Sequence, residues 1–378
     1  MLRRLAILAA LASLLVGAPW AAGVGTPPPV DAAAYIVIDP ATGETLAQRA
    51  PDRELPMAST TKIMTALVAL EAAEPDEVMT VPPEATEVGE SSGSLVAGET
   101  LTVRDLLTAL LVASGNDAAL TLAVGVAGSE EGFVELMNQR AEALGLEHTR
   151  FANPHGLDAP GHHASVRDLV TIAQEAMKDP VFREIVAQRQ ASIPGPGGRG
   201  TRTYESENLL LDLDPEADGV KTGMTDDAGF SLVAHSRREG LGGVALYAAI
   251  IGSPSSDRRA LDADALLTYG FRQYGRATLI GRDEVVGRVP VDDKPGTEIP
   301  YRAERPLVAA LRLDGAPVTE TIEAPVELSG PVTAGQEVGT ITVRQGDRVL
   351  GRRALIATSG ASAPSVWDRF RAGIGSLL

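Results

Sequence analysis

The chain has 378 residues but no cysteine and very few lysines. The lack of cysteine excludes disulfide bonds, thiolate metal ligands and a cysteine nucleophile. Only four of the 33 basic residues are lysines, namely Lys62, Lys178, Lys221 and Lys294, and all the others are arginines. The 50 acidic residues outnumber the 33 basic ones, which gives a net charge of −17. This negative charge argues against nucleic-acid binding as the main task.

One of the rare lysines lies close to a serine in the stretch LPMASTTKIM, residues 55–64. Lys62 follows Ser59 by three positions, so the two side chains share one face at the start of a predicted helix. Arginine stays protonated at any pH that a protein meets, whereas lysine loses its proton when it is buried or lies beside another cation. The pair could therefore combine a nucleophile with a base. Taken alone, it is more simply explained by a surface lysine on a helix.

The N-terminal segment MLRRLAILAALASLLVGAPWAAG, residues 1–23, has the layout of a secretory signal peptide. Two arginines precede an apolar run over residues 5–16, and small residues follow at 21–23. The apolar run is short for a membrane-spanning helix, which needs about 20 residues. We expect this segment to be cleaved or retained as an uncleaved anchor, and the rest of the chain to act outside the cytoplasm.

Residues 30–275 carry the pattern of an α/β (α+β) domain. A strand hairpin and several helices come first, and Thr102 with Asp105 has capping-box spacing at one helix start. We expect a loop over 193–206, where glycine and proline cluster. Two apolar runs, GFSLVAHSR and GVALYAAIIG, then predict central strands, and a helix is predicted over 256–274. This order favours an antiparallel sheet with helices packed over it.

The remaining chain predicts a small all-β domain and a terminal helix. Valine and threonine alternate with charged residues over 277–357, with glycine and proline between the runs. A Ser/Ala/Pro linker then leads to residues 364–378, in which the apolar side chains share one helical face. This segment is too short to span a bilayer of about 30 Å, so it predicts an amphipathic helix lying in the membrane surface.

Two further triplets change the interpretation of Ser59 and Lys62. Ser114-Gly115-Asn116 lies between two predicted helices, and Lys221-Thr222-Gly223 uses a second of the four lysines. Ser-x-x-Lys, Ser-x-Asn and Lys-Thr-Gly in this order are typical of the active-site-serine enzymes that interact with penicillin. Each motif alone is a weak signal, but the three together behind an export signal strongly favour catalysis.

The chain resembles the low-molecular-mass penicillin-binding proteins, specifically the D-alanyl-D-alanine carboxypeptidases of the type-5 subfamily. The stretches that carry the resemblance are AYIVIDPATGETL, SGNDAAL, FANPHGLDAPGHHAS, DGVKTGMTDDAGFSLVA and LLTYGF, together with the β-rich region and the terminal helix. The resemblance implies a five-stranded antiparallel sheet flanked by helices, of the serine β-lactamase and D,D-peptidase type, with the active site in a cleft. It also implies a periplasmic enzyme, attached to the outer face of the inner membrane by the terminal helix.

The implied activity is removal of the terminal D-alanine from peptidoglycan stem pentapeptides through an acyl-enzyme that β-lactams also form. No cofactor or metal is implied. A neutral serine hydroxyl is a poor nucleophile and needs an adjacent base, so Ser59 would attack while Lys62 takes its proton. Burial and the ammonium of Lys221 would lower the pKa of Lys62 enough for this role. Ser114 would pass a proton to the departing D-alanine amine.

The substrate-binding residues follow from the same motifs. Asn116 would hold the substrate's peptide carbonyl, and Lys221 with Thr222 would hold its carboxylate. Gly223 lets the strand backbone approach the substrate. The resemblance implies an oxyanion hole made by the backbone N–H groups of Ser59 and Met224.

Two positions leave the substrate contacts open. Met224 departs from the family, in which histidine often follows Lys-Thr-Gly, so the backbone donor survives but any contribution of a histidine side chain to rate and substrate preference is lost. Arg259 corresponds to a family arginine implicated in binding the substrate carboxylate, but it is equally consistent with a surface helix arginine. The adjacent Arg258 makes the assignment ambiguous.

Several alternatives share the fold or compete with it. A D,D-endopeptidase or a weak serine β-lactamase would use the same motifs, although no glutamate lies in FANPHGLDAPGHHAS, residues 151–165, where a class A β-lactamase would carry one. A zinc peptidase would draw on a cluster formed by His148, His155, His162, His163 and Asp158, but the chain has no His-Glu-x-x-His motif. A non-catalytic wall-binding module is disfavoured by the intact motifs.

Overall fold

The computed structural model describes residues 25–292, 294, 296–363 and 365. The predicted signal peptide, residues 1–23, and the predicted terminal helix, residues 364–378, lie outside the described residues, apart from Ser365. None of the described helices is long and apolar enough to cross a lipid bilayer. The described chain separates into two compact units. The first comprises Thr26–Arg238 and Gly243–Phe271, and the second comprises the turn Glu239–Gly242 and the chain from Arg272 onward.

The first unit is built on an antiparallel sheet with helices around it. Its strands are β1 (Ala34–Asp39), β2 (Glu44–Arg49), β3 (Val78–Thr80), β4 (Thr100–Thr102), β5 (Gln190–Pro194), β6 (Thr201–Glu205), β7 (Ala217–Thr225), β8 (Gly229–Arg238) and β9 (Val244–Ser253). Its helices are α1 (Lys62–Ala72), α2 (Val103–Leu111), α3 (Asn116–Ala127), α4 (Glu130–Ala143), α5 (Val166–Ala176), α6 (Pro180–Val186), α7 (Leu210–Leu213) and α8 (Ser256–Phe271). The main sheet has five strands in the order β2-β1-β9-β8-β7, which leaves β7 at an edge.

Both faces of the sheet are covered, as the uniform burial of β1 requires. Successive side chains of a strand point to opposite faces, yet all six residues of β1 are buried. Ile36 belongs to the core that includes α1, α2, α3 and α5. On the other face Gly270 of α8 lies so close that an added Cβ would be 2.6 Å from Leu246 Cδ1 and 3.2 Å from Val37 Cγ1. The predicted five-stranded antiparallel sheet flanked by helices is confirmed.

The start of α2 illustrates how local sequence determines a helix end. Thr102 accepts a hydrogen bond from the backbone N–H of Asp105, and the Asp105 carboxylate accepts one from the backbone N–H of Thr102. This reciprocal pair satisfies two N–H groups that the helix itself leaves unpaired. The predicted capping box is confirmed.

Two predicted boundaries were wrong. The predicted loop over 193–206 is a hairpin in which β5 pairs with β6, and only its Gly/Pro-rich centre is a turn. The predicted helix over 256–274 ends at Phe271, because Tyr274 begins the next strand and pairs with Arg312. At the end of α8, pairing with a distant strand overrides the local pattern, whereas β5 pairs with the adjacent β6.

The second unit consists of strands, as predicted. They are β10 (Tyr274–Ile280), β11 (Val285–Pro290), β12 (Glu298–Ala303), β13 (Leu307–Arg312), β14 (Val318–Glu323), β15 (Glu337–Gln345) and β16 (Arg348–Ala357). Five of them form an antiparallel sheet in the order β11-β12-β16-β15-β14, and β10 pairs with β13. A separate apolar core that includes Ile299, Ile341 and Leu355 holds this unit together.

Candidate active site

Ser59 lies in a tight turn immediately before α1. The turn is one 3-10 helix, Ala58–Thr61, and the Thr61 hydroxyl donates to the carbonyl oxygen of Ala58 at 2.8 Å. Ala58 has a φ of +50°, a left-handed conformation that is uncommon for a residue with a side chain. Such a conformation persists only where the surrounding structure holds it. The turn therefore presents the half-buried Ser59 in a geometry that its neighbours must support.

Two glycines allow other segments to touch the backbone of this turn. A Cβ on Gly223 of β7 would lie 2.9 Å from Ser59 N and 3.0 Å from Ala58 Cβ. A Cβ on Gly156 would lie only 2.2 Å from the carbonyl oxygen of Ala58. Distances this short are not compatible with a side chain, so both positions require glycine for close approach. The edge strand β7 and the segment around Gly156 thus enclose the serine turn.

Lys62 begins α1 and is completely buried. Its Nζ lies 2.8 Å from Ser59 Oγ, 2.7 Å from Asn116 Oδ1 and 2.6 Å from the carbonyl oxygen of His155. The amide and carbonyl oxygens can only accept hydrogen bonds, whereas a serine hydroxyl can also donate. A neutral amine would give its two N–H groups to Asn116 and His155, and its lone pair would face the Ser59 hydroxyl.

The surroundings of Lys62 favour its neutral form. Burial is the main cause that holds the pKa of Lys62 well below its usual range, and the Lys221 ammonium adds to the effect. The carboxylates of Asp117, Glu90 and Glu207 act in the opposite direction. Because burial outweighs them, the surroundings favour the neutral amine, which is the form of Lys62 that can accept a proton.

The Ser-Gly-Asn triplet joins α2 to α3. Asn116 is the first residue of α3, and its side-chain N–H donates to the carbonyl oxygen of Gly89 at 2.9 Å while its Oδ1 faces Lys62. Ser114 is buried and has a φ of +59°, so this turn, like the turn at Ala58, is held in a left-handed conformation. Buried Asp117 accepts hydrogen bonds from Gly93 N and Leu95 N and so ties the loop before β4 to the start of α3.

The Lys-Thr-Gly triplet lies on the edge strand β7. Lys221 and Thr222 are both buried, and Lys221 Nζ donates to the Thr222 carbonyl oxygen at 2.9 Å. Burial lowers the pKa of Lys221 to about 8, with Glu207 opposing the shift and Arg259 adding to it. Lys221 therefore remains largely protonated at neutral pH. The two site lysines differ in the protonation state that their surroundings favour.

The structure distinguishes the two adjacent arginines of α8. Arg259 is 3% exposed and its guanidinium donates to the carbonyl oxygens of Gly223 and Ser231 at 3.3 and 3.4 Å. Within the described part of the chain no carboxylate forms an ion pair with it. Arg258 instead pairs with Asp262 at 2.8 Å. Arg259 is thus a buried cation beside the Lys-Thr-Gly strand, not a surface arginine, and it also donates to the Glu207 carbonyl oxygen and the Ser256 hydroxyl.

Met224 follows the triplet on β7 and is 53% exposed. A side chain this open leaves the adjacent backbone accessible, whereas it adds no acid, base or hydrogen-bonding group to the site. Its contribution is therefore confined to its backbone and to apolar contact.

The segment 151–163 provides contacts that sequence patterns did not identify. The Thr65 hydroxyl donates to the Pro154 carbonyl oxygen at 2.5 Å, and the adjacent His155 accepts from Lys62 through its backbone. Backbone acceptors carry no sequence signature, and the sequence analysis did not single out Gly156. Of the histidines considered for a metal, His155 Nδ1 accepts from Leu157 N at 3.2 Å and His162 bonds to Thr61. Among the described residues, no group of three or more His, Cys, Asp or Glu side chains is arranged to hold a metal ion.

Comparison with known protein families agrees with this geometry. A family model described as D-alanyl-D-alanine carboxypeptidase matches residues 22–254, which include the serine, the two motif lysines and Asn116. The chain belongs to the D-alanyl-D-alanine carboxypeptidase family. A second model, described as the C-terminal domain of penicillin-binding protein 5, matches residues 274–361. The resemblance to the type-5 carboxypeptidases is confirmed over both units.

Individual proteins resemble this chain over different shares of its length. The D-alanyl-D-alanine carboxypeptidase DacC of Escherichia coli strain K12 is 33% identical over 359 residues, covering 90% of this chain and 88% of that protein. Penicillin binding protein 5 from Haemophilus influenzae is similar in structure with a TM-score of 0.64 at 25% identity, covering 89% of this chain and 99% of that chain. The Streptomyces K15 DD-transpeptidase is similar with a TM-score of 0.62 at 31% identity, covering 66% of this chain and 100% of that chain.

Proposed function

We propose that this chain is an exported serine-type D-alanyl-D-alanine carboxypeptidase that removes the terminal D-alanine from peptidoglycan stem pentapeptides. The environment of Lys62 Nζ carries the proposal. This buried amine has two acceptors that fix its N–H groups, and its third neighbour is the Ser59 hydroxyl at 2.8 Å. A nucleophile within hydrogen-bond reach of a base that is itself oriented is the arrangement that acyl transfer requires.

Acylation begins when Ser59 Oγ attacks the carbonyl carbon of the penultimate D-alanine. The Ser59 proton moves to the neutral Lys62 amine as the C–O bond forms and the carbonyl electrons move to oxygen. The backbone N–H groups of Ser59 and Met224 then donate to the oxyanion, and each such donor is typically worth about 3 kcal/mol. The close approach of Gly223 to Ser59 N supports this pairing of β7 with the serine turn.

The tetrahedral intermediate collapses when its C–N bond breaks. The proton held by Lys62 passes through the Ser114 hydroxyl to the amine of the departing D-alanine. Water then attacks the ester, Lys62 takes the water proton, and the shortened peptide leaves as Ser59 regains its hydrogen. A β-lactam acylates Ser59 in the same way, but the resulting acyl-enzyme is hydrolysed slowly, because residues 151–165 contain no glutamate to activate water.

The terminal carboxylate of the substrate binds at the cationic end of the site. Lys221 provides charge, Thr222 provides a hydroxyl, and Arg259 adds a second buried cation behind Gly223. The Arg259 guanidinium is held by protein acceptors and by the favourable charge of Glu207, so it supports the carboxylate site through its positive charge. This arrangement gives the enzyme its preference for a peptide end over an internal bond. Asn116 binds the peptide carbonyl upstream.

Release of free D-alanine by the purified chain tests this function. A peptide that ends in D-Ala-D-Ala is compared with the same peptide ending in L-Ala-L-Ala, and only the first should release alanine. Cleavage of cross-linked dimers without D-alanine release from single peptides would favour a D,D-endopeptidase. Rapid and repeated penicillin hydrolysis would favour a β-lactamase. Transfer of the acyl group to an added amine in preference to water would favour a transpeptidase, the activity named for the Streptomyces K15 relative.

We expect the kcat/KM for D-alanine release to fall above about pH 8, because the pKa of Lys221 is lowered to about 8 and deprotonation removes a cation from the carboxylate site. In Lys221→Arg this fall should move beyond about pH 10, since arginine keeps its charge. Lys178→Arg is the matched control, because the Lys178 side chain is 71% exposed. An alkaline fall that Lys221→Arg leaves in place would assign the titration to another group.

We also propose that the enzyme works in the periplasm and is held at the outer face of the inner membrane. The signal-peptide pattern over residues 1–23 supports export. The terminal segment supports attachment, because its apolar residues recur at the spacing expected for one face of an amphipathic helix. They are Val366, Trp367, Phe370, Ile374, Leu377 and Leu378.

A chain that ends at Ser362 should move from the membrane fraction to the soluble fraction, because it lacks the amphipathic segment. The truncation keeps the bridge between Val332 and Ala361, so the second unit retains its last pairing. Activity on small soluble peptides should be unchanged. The full chain with Trp367→Asp and Phe370→Asp serves as a control that keeps length but loses the apolar face. Equal distribution of truncated and full-length protein would contradict the anchor.

A further inference from the structure

A chain of hydrogen bonds leads from His162 to the serine turn. His162 Nδ1 accepts from the backbone N–H of Ala152 at 3.0 Å. His162 Nε2 lies 2.8 Å from Thr61 Oγ1, and the Thr61 hydroxyl lies 2.8 Å from the carbonyl oxygen of Ala58. His162 is 5% exposed and Thr61 is fully buried, so water does not replace these partners readily.

The direction of each bond follows from the donors and acceptors available. The Ala58 carbonyl oxygen can only accept, so the Thr61 hydroxyl donates its single hydrogen to it. Thr61 Oγ1 must then accept from His162, which makes Nε2 the protonated ring nitrogen. Nδ1 is left as the acceptor, and this is the atom that faces the Ala152 N–H. Only the neutral Nε2–H tautomer satisfies all three contacts.

This series of hydrogen bonds ends at Ala58, the strained residue that precedes the proposed nucleophile Ser59. Ala58 has a φ of +50°, and its carbonyl oxygen is enclosed by Gly156 on one side and the Thr61 hydroxyl on the other. We propose that His162 is a positioning residue for acylation: through Thr61 it holds the Ala58 carbonyl, and thereby fixes the orientation of Ser59 and its N–H. This role rests on the proposed function of Ser59 as nucleophile.

The ring keeps the tautomer that this role requires. Burial, with His155 and His163 nearby, lowers the pKa of His162 to about 4, so the imidazole is neutral at neutral pH. An imidazolium would turn a second N–H toward the Ala152 N–H and lose that contact. His162 is thus suited to donate steadily to Thr61 rather than to exchange protons with the substrate.

Two substitutions separate the two ring nitrogens. His162→Gln carries an amide N–H near the position of Nε2 and keeps a donor for Thr61. His162→Asn carries an oxygen near the position of Nδ1 and keeps the acceptor for Ala152, but it loses the donor. The acylation rate constant and the pre-covalent dissociation constant for a fluorescent penicillin are measured for each variant. We expect His162→Asn to lower the rate constant about tenfold and His162→Gln to stay within about threefold, with the dissociation constant unchanged in both.

The matched control is His163→Asn, because His163 is the adjacent histidine and its ring lies 3.6 Å from the Glu54 carboxylate at the surface. It should acylate at the parent rate. Equal losses in the Asn and Gln variants, or an effect confined to the dissociation constant, would overturn the positioning role while leaving the proposed function intact. A parent chain that no penicillin acylates would overturn both.

A double-mutant cycle tests whether Thr61 is the intermediate. Thr61→Val keeps the side-chain shape and removes the hydroxyl, so it removes the hydrogen bonds to both His162 and the Ala58 carbonyl oxygen. We expect the double variant with His162→Asn to acylate at the rate of Thr61→Val alone, within about threefold. Thr61→Val has already removed the hydrogen bonds through which His162 would act on Ala58. Losses that multiply would mean that His162 acts independently of Thr61 and would overturn the proposal.

Discussion

Ser59→Ala should abolish labelling by a fluorescent penicillin and lower D-alanine release by at least about 10⁴-fold, since no acyl-enzyme can form without the hydroxyl. The change removes one oxygen atom from a half-buried site. Because the Thr60 and Thr61 hydroxyls hold the turn through Met57 and Ala58, the fold should persist. Labelling is read from a gel, release from free D-alanine, and folding from the melting temperature.

Ser192→Ala provides the matched control for this prediction. Ser192 is an exposed serine of β5 whose hydroxyl contacts only that of Thr203 across the hairpin among the described residues. It should label and release D-alanine as the parent chain does. An acyl-enzyme that can be isolated from Ser59→Ala would show that another residue is the nucleophile.

Lys62→Arg should lower the acylation rate by at least about 10³-fold, whereas Lys221→Arg should lose only about tenfold. Position 62 must release and accept a proton, which arginine cannot do. Position 221 mainly supplies charge, which arginine retains. The rate of penicillin acylation is measured at saturating penicillin for both variants, so that weaker binding does not enter the comparison.

The same substitution at a third lysine controls for the exchange itself. Lys178→Arg alters an exposed side chain that pairs with Glu175, so it should leave acylation unchanged. Lys62→Arg would also bring a permanent charge into a fully buried site, so its melting temperature is compared with that of Lys62→Met, which fills similar space without charge. Small and equal losses in Lys62→Arg and Lys221→Arg would mean that Lys62 is not the base.

Secondary structure was predictable where its causes are local. The capping box of Thr102 and Asp105 lies within one helical turn. The strands β8 and β9 are predicted by apolar runs in the sequence. The hairpin of β5 and β6 was missed because its strands are short and its turn is rich in glycine and proline. What stabilises it lies far away, since Arg202 pairs with Glu99 at 2.7 Å and the Tyr204 hydroxyl donates to Gly93.

The two arginines of α8 show a second limit of the sequence. Arg258 and Arg259 are neighbours with the same chemistry, so no pattern distinguishes them. Successive residues of a helix point about 100° apart, and only the packing of α8 on the sheet decides which one turns inward. Arg259 reaches Gly223 and Ser231, whereas Arg258 stays at the surface with Asp262.

The sequence by itself determined that Ser59 and Lys62 meet, because residues three apart on a helix are neighbours whatever surrounds them. Only the tertiary structure decided what that meeting can do. The two carbonyl acceptors of Lys62 come from Asn116 and His155, which are 54 and 93 residues away along the chain. Water is excluded from the Lys62 amine only when α3, the segment 151–163 and β7 are packed around it in the folded chain. The pKa of Lys62 depends on that enclosure, so the role proposed for Lys62 as the base for Ser59 requires the folded chain.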